Sequence, residues 1–355
     1  MDKFKIDSHK LIYHVGRVND WLNGSNIYPV YVEISPVGIC NHRCTYCAVD
    51  FVGYQNRTLD KEILKERLSE MASLGIRGIM YAGEGEPLLH KNISEIVQFT
   101  KKVGIDVAIT TNGVLLKEEV ADSLLRDTTW IKISIDAATR ETYSKIHRTK
   151  PDDFDRVIKN ISDAIKLRKE RGYRCTIGLQ LLLLPENLNE VIPLAYKAKE
   201  IGVDYLVVKP YSQHPLSLTT DYKEIKYDQY LYLSEGLQSL NSSKFHVIFR
   251  MNTMKKWDEN GRSYRHCLAL PFWCYIDAGG TVWGCSAYLT DERFKYGNIC
   301  ENTFGEIWGD KTRLRSLLWA EEELDTCQCR VNCRMDEVNR YLWELRNPPG
   351  HVNFI

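Results

Sequence analysis

The 355-residue chain predicts an α/β fold built on a parallel sheet, and three patterns carry that expectation. Strand-like and helix-like segments alternate from residue 30 to residue 210. Gly75, Gly104 and Gly172 stand where helical spacing stops. The polar turn signals fall on the far side of each strand. In order, the runs at 30–34, 78–82, 106–110, 130–135, 176–184 and 205–209 read as six strands. Helical apolar spacing covers 59–74, 93–103, 117–125, 154–171 and 188–201. Such alternation places helices over a parallel sheet. Six βα units fall short of the eight of a closed barrel. Ligands of such a sheet gather beyond the C-terminal ends of its strands.

Composition narrows the functional classes. Hydrophobic residues make up 44% and the formal net charge is zero. No broad field draws nucleic acid or an anionic membrane, so neither is an expected partner. Residues 1–5 lead into no apolar run, and no stretch approaches the ~20 residues that cross a bilayer. The chain therefore reads as cytoplasmic. Eleven cysteines in that setting point to metal or redox chemistry before disulfides.

Cys175 lies alone, and the other ten cysteines fall into two groups. Cys40, Cys44 and Cys47 form Cys-x3-Cys-x2-Cys, with Tyr46 just before the last thiol. Three thiolates this close can hold three irons of a cubane and leave the fourth iron open to bind something else. A structural zinc site usually needs four protein ligands. His42 is the one neighbouring candidate, and it reads as a solvated residue or a neighbour of the cluster. The second group runs from Cys267 through Cys274 and Cys285 to Cys327, Cys329 and Cys333, with Cys300 between. Gly279-Gly280 reads as a hairpin turn that returns Cys285 toward Cys267 or Cys274. Two early and two late thiols could close one four-thiolate site. Four thiolates also make a zinc site, which leaves a zinc-stabilised binding protein as a non-enzymatic alternative.

The first group resembles the signature of radical S-adenosylmethionine (SAM) enzymes. That resemblance implies a partial (β/α)6 TIM-like barrel whose open iron binds the amino and carboxylate groups of SAM. Reductive cleavage would give a 5′-deoxyadenosyl radical that abstracts hydrogen from a C–H bond. It implies a flavodoxin- or ferredoxin-type electron donor, and places Tyr46 near the adenine. Gly83-Glu84-Gly85-Glu86-Pro87 resembles the family's Gly-Gly-Glu-Pro loop, with Glu84 in place of the first glycine. Gly83, Gly85 and Glu86 would then steady the methionine end of SAM. Asn112, in Thr111-Asn112-Gly113, would lie beside its carboxylate and ribose. Ser134 and Asp136 share a face by strand alternation. The family puts that strand end on SAM, whereas Asp136 alone could cap the next helix. Arg148 could pair with the SAM carboxylate or sit in solvent. Gln180 and Lys209, polar residues in apolar strands, are substrate candidates.

The late cysteines resemble the twitch and SPASM extensions of these enzymes, which hold one or two auxiliary 4Fe-4S clusters. No cysteine follows Cys333, which favours one. Cys267, Cys285, Cys329 and Cys333 are the expected ligands, with Cys274 and Cys327 as substitutes. The resulting plan has an extension at 1–28, a radical SAM barrel at 29–212 and a Tyr-rich helical connector at 213–265. An auxiliary module at 266–346 and an apolar tail at 347–355, tucked into the body, complete it. About thirty residues before the first strand are too few for a peptide-recognition domain. That favours a small molecule, such as a sugar or sugar nucleotide, undergoing oxidation, epimerisation or dehydration. A peptide or protein maturase is the alternative.

Overall fold

The computed structural model describes residues 3–259 and 261–354. All six expected strands form, as β1 (Tyr31–Ile34), β2 (Gly78–Tyr81), β3 (Asp106–Thr111), β4 (Trp130–Ser134), β5 (Thr176–Leu183) and β6 (Tyr205–Pro210). They pair in parallel, each with the next. A short α1 (Val15–Leu22) precedes them. The crossovers carry α2 (Lys61–Ser73), α3 (Ile93–Lys102), α4 (Glu118–Asp127), the pair α5 (Arg140–His147) and α6 (Asp152–Arg171), and α7 (Val191–Ile201). Asp60 caps α2 by accepting from the Glu62 and Ile63 amides, and Gly172 ends α6 in a left-handed conformation.

Two further parallel strands extend the sheet. After α8 (Leu233–Gln238), β7 (His246–Phe249) pairs with β6 and leads into α9 (Met251–Glu259). After the next loop, β8 (Trp273–Ile276) pairs in parallel with β1. The hairpin of β9 (Thr281–Trp283) and β10 (Lys295–Asn298) continues from β8 in antiparallel fashion. The order is thus β10-β9-β8-β1-β2-β3-β4-β5-β6-β7, open between β7 and β8. The segment 213–265, expected as a helical connector, supplies a sheet strand. Its helices, α8 and α9, are short, and Tyr222, Tyr227 and Trp257 are buried beside them. The chain closes with α10 (Phe304–Gly309), α11 (Lys311–Glu322) and α12 (Asp336–Arg346).

Alternation divides the strands into two faces. Val32, Ile34, Ile79, Tyr81, Val107, Ile131, Leu179 and Leu206 join the helices in the main core. The opposite face lines a lumen. Its walls are Met80, Ala82 and Ala108 with Tyr31 and Trp130 on one side, and Tyr205, Val207 and Ile248 on the other. Phe4 and Ile6 pack against that second group, and Asp7 pairs with Arg250 at the end of β7. The N-terminal segment thereby packs along the open side of the barrel. The tail does not tuck in: residues 347–354 are exposed, with Phe354 83% exposed, so His351 and Asn353 stand in solvent.

Candidate active site

The loop from β1 to α2 carries Cys40, Cys44 and Cys47 over the C-terminal end of the sheet. Neighbouring elements fix its path. The Arg43 and Thr45 amides donate to the His147 and Ile146 carbonyls, and the Glu86 amide donates to Ile39 O at 2.9 Å. Asn112 Nδ2 donates to Asn41 Oδ1 at 2.7 Å. From above, Tyr222 donates to Thr45 Oγ1 at 2.8 Å, and Asp50 accepts from Ser217, Leu218 and Thr219.

The glycine-rich loop after β2 lies directly against this cysteine loop. A Cβ on Gly85 would stand 2.1 Å from the Val37 carbonyl oxygen, and one on Gly83 would meet the Tyr275 hydroxyl at 2.5 Å. Glu84 is buried and accepts from the Ala278 amide at 2.7 Å and from Arg57 at 3.0 Å. Glu86 is also buried, accepting from Thr111 Oγ1, the Asn112 amide and the Leu88 amide. Its carboxylate braces the loop to the end of β3 and is not free for a ligand. Asn112 is similarly engaged, by Asn41 and by the Val114 amide.

Asp136 is fully buried with a positive φ of 51°. It accepts from the Leu182 amide and from the Tyr46 hydroxyl, each at 2.5 Å, so it positions Tyr46 from below rather than facing the chamber. Helix capping at this turn falls instead to Thr139. Ser134 accepts from Gln180 at 3.5 Å, and both lie on the lumen face. Arg148 is exposed at the left-handed end of α5. Lys209 stands on the lumen face of β6, paired in register with Leu182. His42 is 1% exposed, which removes the solvated alternative and leaves it as a buried neighbour of the cysteine loop, with its Nε2 3.7 Å from Asp153.

Burial raises the thiols of both groups above the usual thiol range. Burial, with Glu86 next, pushes Cys40 up to about 12. Cys44 rises well above the usual thiol range through burial and through Cys47 and Cys40. Burial also raises Cys47. Three mutually repelling thiolates need a cationic group to hold them, as an iron–sulfur cluster supplies. His42, Cys44 and His147 also place ligand atoms within 4.8 Å of one another. His147 Nδ1 is 3.2 Å from Cys44 Sγ while its Nε2 meets Ile135 O at 3.1 Å, and both imidazoles pack on Tyr143 behind the loop.

The second group converges on one cavity lined by Cys267, Cys285, Cys329 and Cys333. Each sulfur has a polar neighbour: Asn339 Nδ2 at Cys267, the Ala287 amide at Cys285, the Tyr288 hydroxyl at Cys329 and the Met335 amide at Cys333. Such donors suit thiolate acceptors, and the four-thiol set fits a cubane. The substitutes lie elsewhere. Cys274 is in the main core on the outward face of β8, and Cys327 is exposed. Cys175 is buried beside Thr128, and Cys300 is exposed.

The auxiliary region caps the barrel mouth. Arg334 pairs with Glu33 and donates to Tyr31 on β1, while Arg330 donates to Ser212 at 2.6 Å and Asn332 to the Tyr211 carbonyl at 2.7 Å beyond β6. The residues most useful for reading the chamber, Lys132 and Arg330, were not singled out from sequence. Lys132 looks like an ordinary strand lysine until its register with Gly178 places it in the lumen.

Comparison with known proteins follows this geometry. Residues 34–195 match the radical SAM superfamily, and residues 267–334 match the SPASM iron–sulfur cluster-binding domain. The chain carries a radical SAM domain joined to a SPASM domain. These domains imply a SAM-binding 4Fe-4S cluster and auxiliary iron–sulfur binding. GTP 3',8-cyclase of Chlorobaculum tepidum is 31% identical over 191 residues, 52% of this chain and 56% of that protein. GTP 3',8-cyclase of Clostridium acetobutylicum is 36% identical over 141 residues, 39% of this chain and 43% of that protein. The chain thus spans about half the length of the curated relatives it matches. Among solved structures, Streptococcus suis SuiB bound to precursor peptide SuiA aligns with a TM-score of 0.65 at 18% identity, covering 84% of this chain and 69% of that one. AnSMEcpe with bound AdoMet aligns at 0.60 and 18% identity, covering 88% and 85%. Both show a shared fold. No helix among the described residues is long and apolar enough to cross a membrane.

Proposed function

We propose that this radical SAM/SPASM protein abstracts hydrogen from a C–H bond of a small molecule, a sugar or sugar nucleotide, leading to oxidation, epimerisation or dehydration. One observation carries the reading: the side chain of Arg330 stands between the two thiol groups. Arg330 lies within electrostatic reach of Cys47 on one side and of Cys285 and Cys333 on the other. When bound, the cluster at Cys40, Cys44 and Cys47 together with SAM would supply the 5′-deoxyadenosyl radical, reduced through a flavodoxin- or ferredoxin-type donor. The chain's own residues then orient and enclose. Asp136 fixes Tyr46, Glu86 and Asn112 fix the loops at the methionine end, and the residues Ser217–Thr219 help cover the site through Asp50. Ser134, Gln180 and Lys209 face the chamber as substrate contacts. One auxiliary cluster on Cys267, Cys285, Cys329 and Cys333 would take an electron from the substrate radical or hold the substrate. Residues 266–346 would act as that module, with β8 built into the barrel sheet.

The curated relatives are named for a nucleotide substrate, which supports a small molecule. A peptide substrate remains the second reading, because the SuiB structure that shares this fold holds a precursor peptide. The primary test is SAM cleavage by anaerobically reconstituted protein under dithionite. Wild type should form 5′-deoxyadenosine and methionine, and Cys44→Ala should form none. Equal yields from both would remove the proposal.

A further inference from the structure

The lumen holds more positive charge than its own carboxylates balance. Register places Lys132 opposite Gly178 and Tyr205, one layer below Ser134 and Gln180. Lys209 stands one layer above them, at the level of Leu182. Arg250 follows β7 directly, its amide bonded to Val208 O, and Arg330 enters from the auxiliary cap. Lys209 feels the other three: Lys132, Arg250 and Arg330 all push it downward, after burial as the main cause. Arg250 is paired with Asp7 and Glu33 is taken by Arg334. Asp136 spends its carboxylate on Tyr46 and Leu182. Among the described residues, neither Lys132 nor Lys209 has a salt-bridge partner, while Arg330 donates to the neutral Ser212 hydroxyl and has the thiols of Cys47, Cys285 and Cys333 within electrostatic reach.

Like charges collected in a half-buried chamber without counter-charges are costly unless a ligand supplies them. Lys132, Lys209 and Arg330 stand at different depths of the same chamber. A neutral sugar offers nothing to them, whereas a phosphate ester or diphosphate offers several charged oxygens to an ammonium and a guanidinium together.

Building on the radical SAM reading of this site, we propose that the substrate is a small molecule bearing a phosphate or diphosphate group, which Lys132, Lys209 and Arg330 bind inside the barrel. The reacting carbon would then project from the charged group toward the cysteine loop. An acidic peptide could also present negative charge, but Lys132 lies deep in the lumen, behind Ser134 and Gln180, where a compact anion reaches more readily than a chain of carboxylates.

The test uses full-length protein reconstituted anaerobically and saturated with SAM, with inorganic pyrophosphate as the probe in a calorimetric titration. Wild type should bind it saturably, and Lys132→Gln and Arg330→Gln should each weaken binding about tenfold or more. A second readout needs no variant. Burial brings the Lys132 amine down to about 8, so an acylating reagent near that pH should label Lys132 and Lys209, and pyrophosphate should protect both. Absence of pyrophosphate binding at millimolar concentration, binding undiminished in both variants, or protection by a glutamate-rich hexapeptide in preference to pyrophosphate would each overturn the proposal. Wild-type SAM cleavage is measured on the same preparation. Its failure counts against the radical SAM reading, and failure of pyrophosphate binding with cleavage intact counts against the anionic substrate alone.

Discussion

The Tyr46 hydroxyl donates to Asp136 at 2.5 Å, tying the cysteine loop to the end of β4 from beneath. Burial raises the Asp136 carboxyl from 3.8 to about 6, even though Tyr46, the Leu182 amide and Lys209 all oppose the shift. The folded protein therefore holds this proton more tightly than the unfolded chain. The associated stability is fully present below the unfolded value and is lost as pH rises through about 6. Wild type should gain stability relative to Asp136→Asn as pH falls from about 6 toward 4. Denaturant midpoints of the two proteins across that range provide the check. A difference that does not change with pH would show that Asp136 is not protonated preferentially in the fold.

Iron content separates the ligand cysteines from the bystanders. Three plus four thiolates should give about eight irons per reconstituted chain, and a Cys40/Cys44/Cys47 triple alanine variant about four. Cys329→Ala should lose auxiliary iron, while Cys327→Ala, altering an exposed thiol, should keep it. Zinc in the cavity of Cys267, Cys285, Cys329 and Cys333, in place of iron, would make that site structural.

Auxiliary iron should matter to product more than to SAM cleavage. Cys285→Ala is expected to form some 5′-deoxyadenosine but little product with the true substrate. It should also melt at lower temperature, because metal binding in a small module contributes to folding. Normal product turnover by a soluble Cys285→Ala protein would show that the auxiliary site is dispensable.

The six strands of the first half were legible because each is an apolar run bounded by a helix with a clear stop, as at Gly75 and Gly172. The strands β7 and β8 were not. His246-Val247-Ile248-Phe249 is four residues long within a polar segment, and Trp273–Ile276 carries Cys274, which drew attention as a ligand. Only pairing with β6 and β1 reveals them. Spacing likewise showed which residues neighbour the cysteine loop but not which atoms are already spent. Glu86, Asn112 and Asp136 turn out to be braces because their oxygens bond to other loops, which is a tertiary fact. The charge of the lumen was hidden for the same reason: Lys132, Lys209 and Arg330 are 77 and 121 residues apart in turn and converge only through the strand register and the cap.

Gly85 tests the contact between the two loops. Any side chain there would push its Cβ against the Val37 and Ile39 carbonyl oxygens, at 2.1 and 2.4 Å. Backbone cannot rotate away as a flexible side chain could. Gly85→Ala should therefore destabilise the protein by about 1–3 kcal/mol and weaken SAM binding, because the loop that carries Cys40 must shift. Thermal melting and equilibrium dialysis with SAM measure the two effects. Unchanged values for both would mean that the loops separate at no cost.

Glu84 occupies the place where the family pattern has glycine, and its surroundings account for the departure. Its carboxylate reaches out of the loop to the Ala278 amide in the turn between β8 and β9 and to Arg57, while its own amide donates to Ser35 Oγ at 3.2 Å. The side chain thus joins the glycine-rich loop after β2 to the turn between β8 and β9. Glu84→Gly would restore the family pattern but strip the partner from the buried Ala278 amide. Arg57 would be left with Asp277, at 4.0 Å, as its nearest carboxylate. The expected cost is about 1–3 kcal/mol, the usual penalty for a buried donor without an acceptor. Glu84→Gln retains an acceptor for Ala278 and should cost less. Chemical denaturation of the two variants ranks them, and a Glu84→Gly protein as stable as wild type would mean that the hairpin and the loop hold their positions independently.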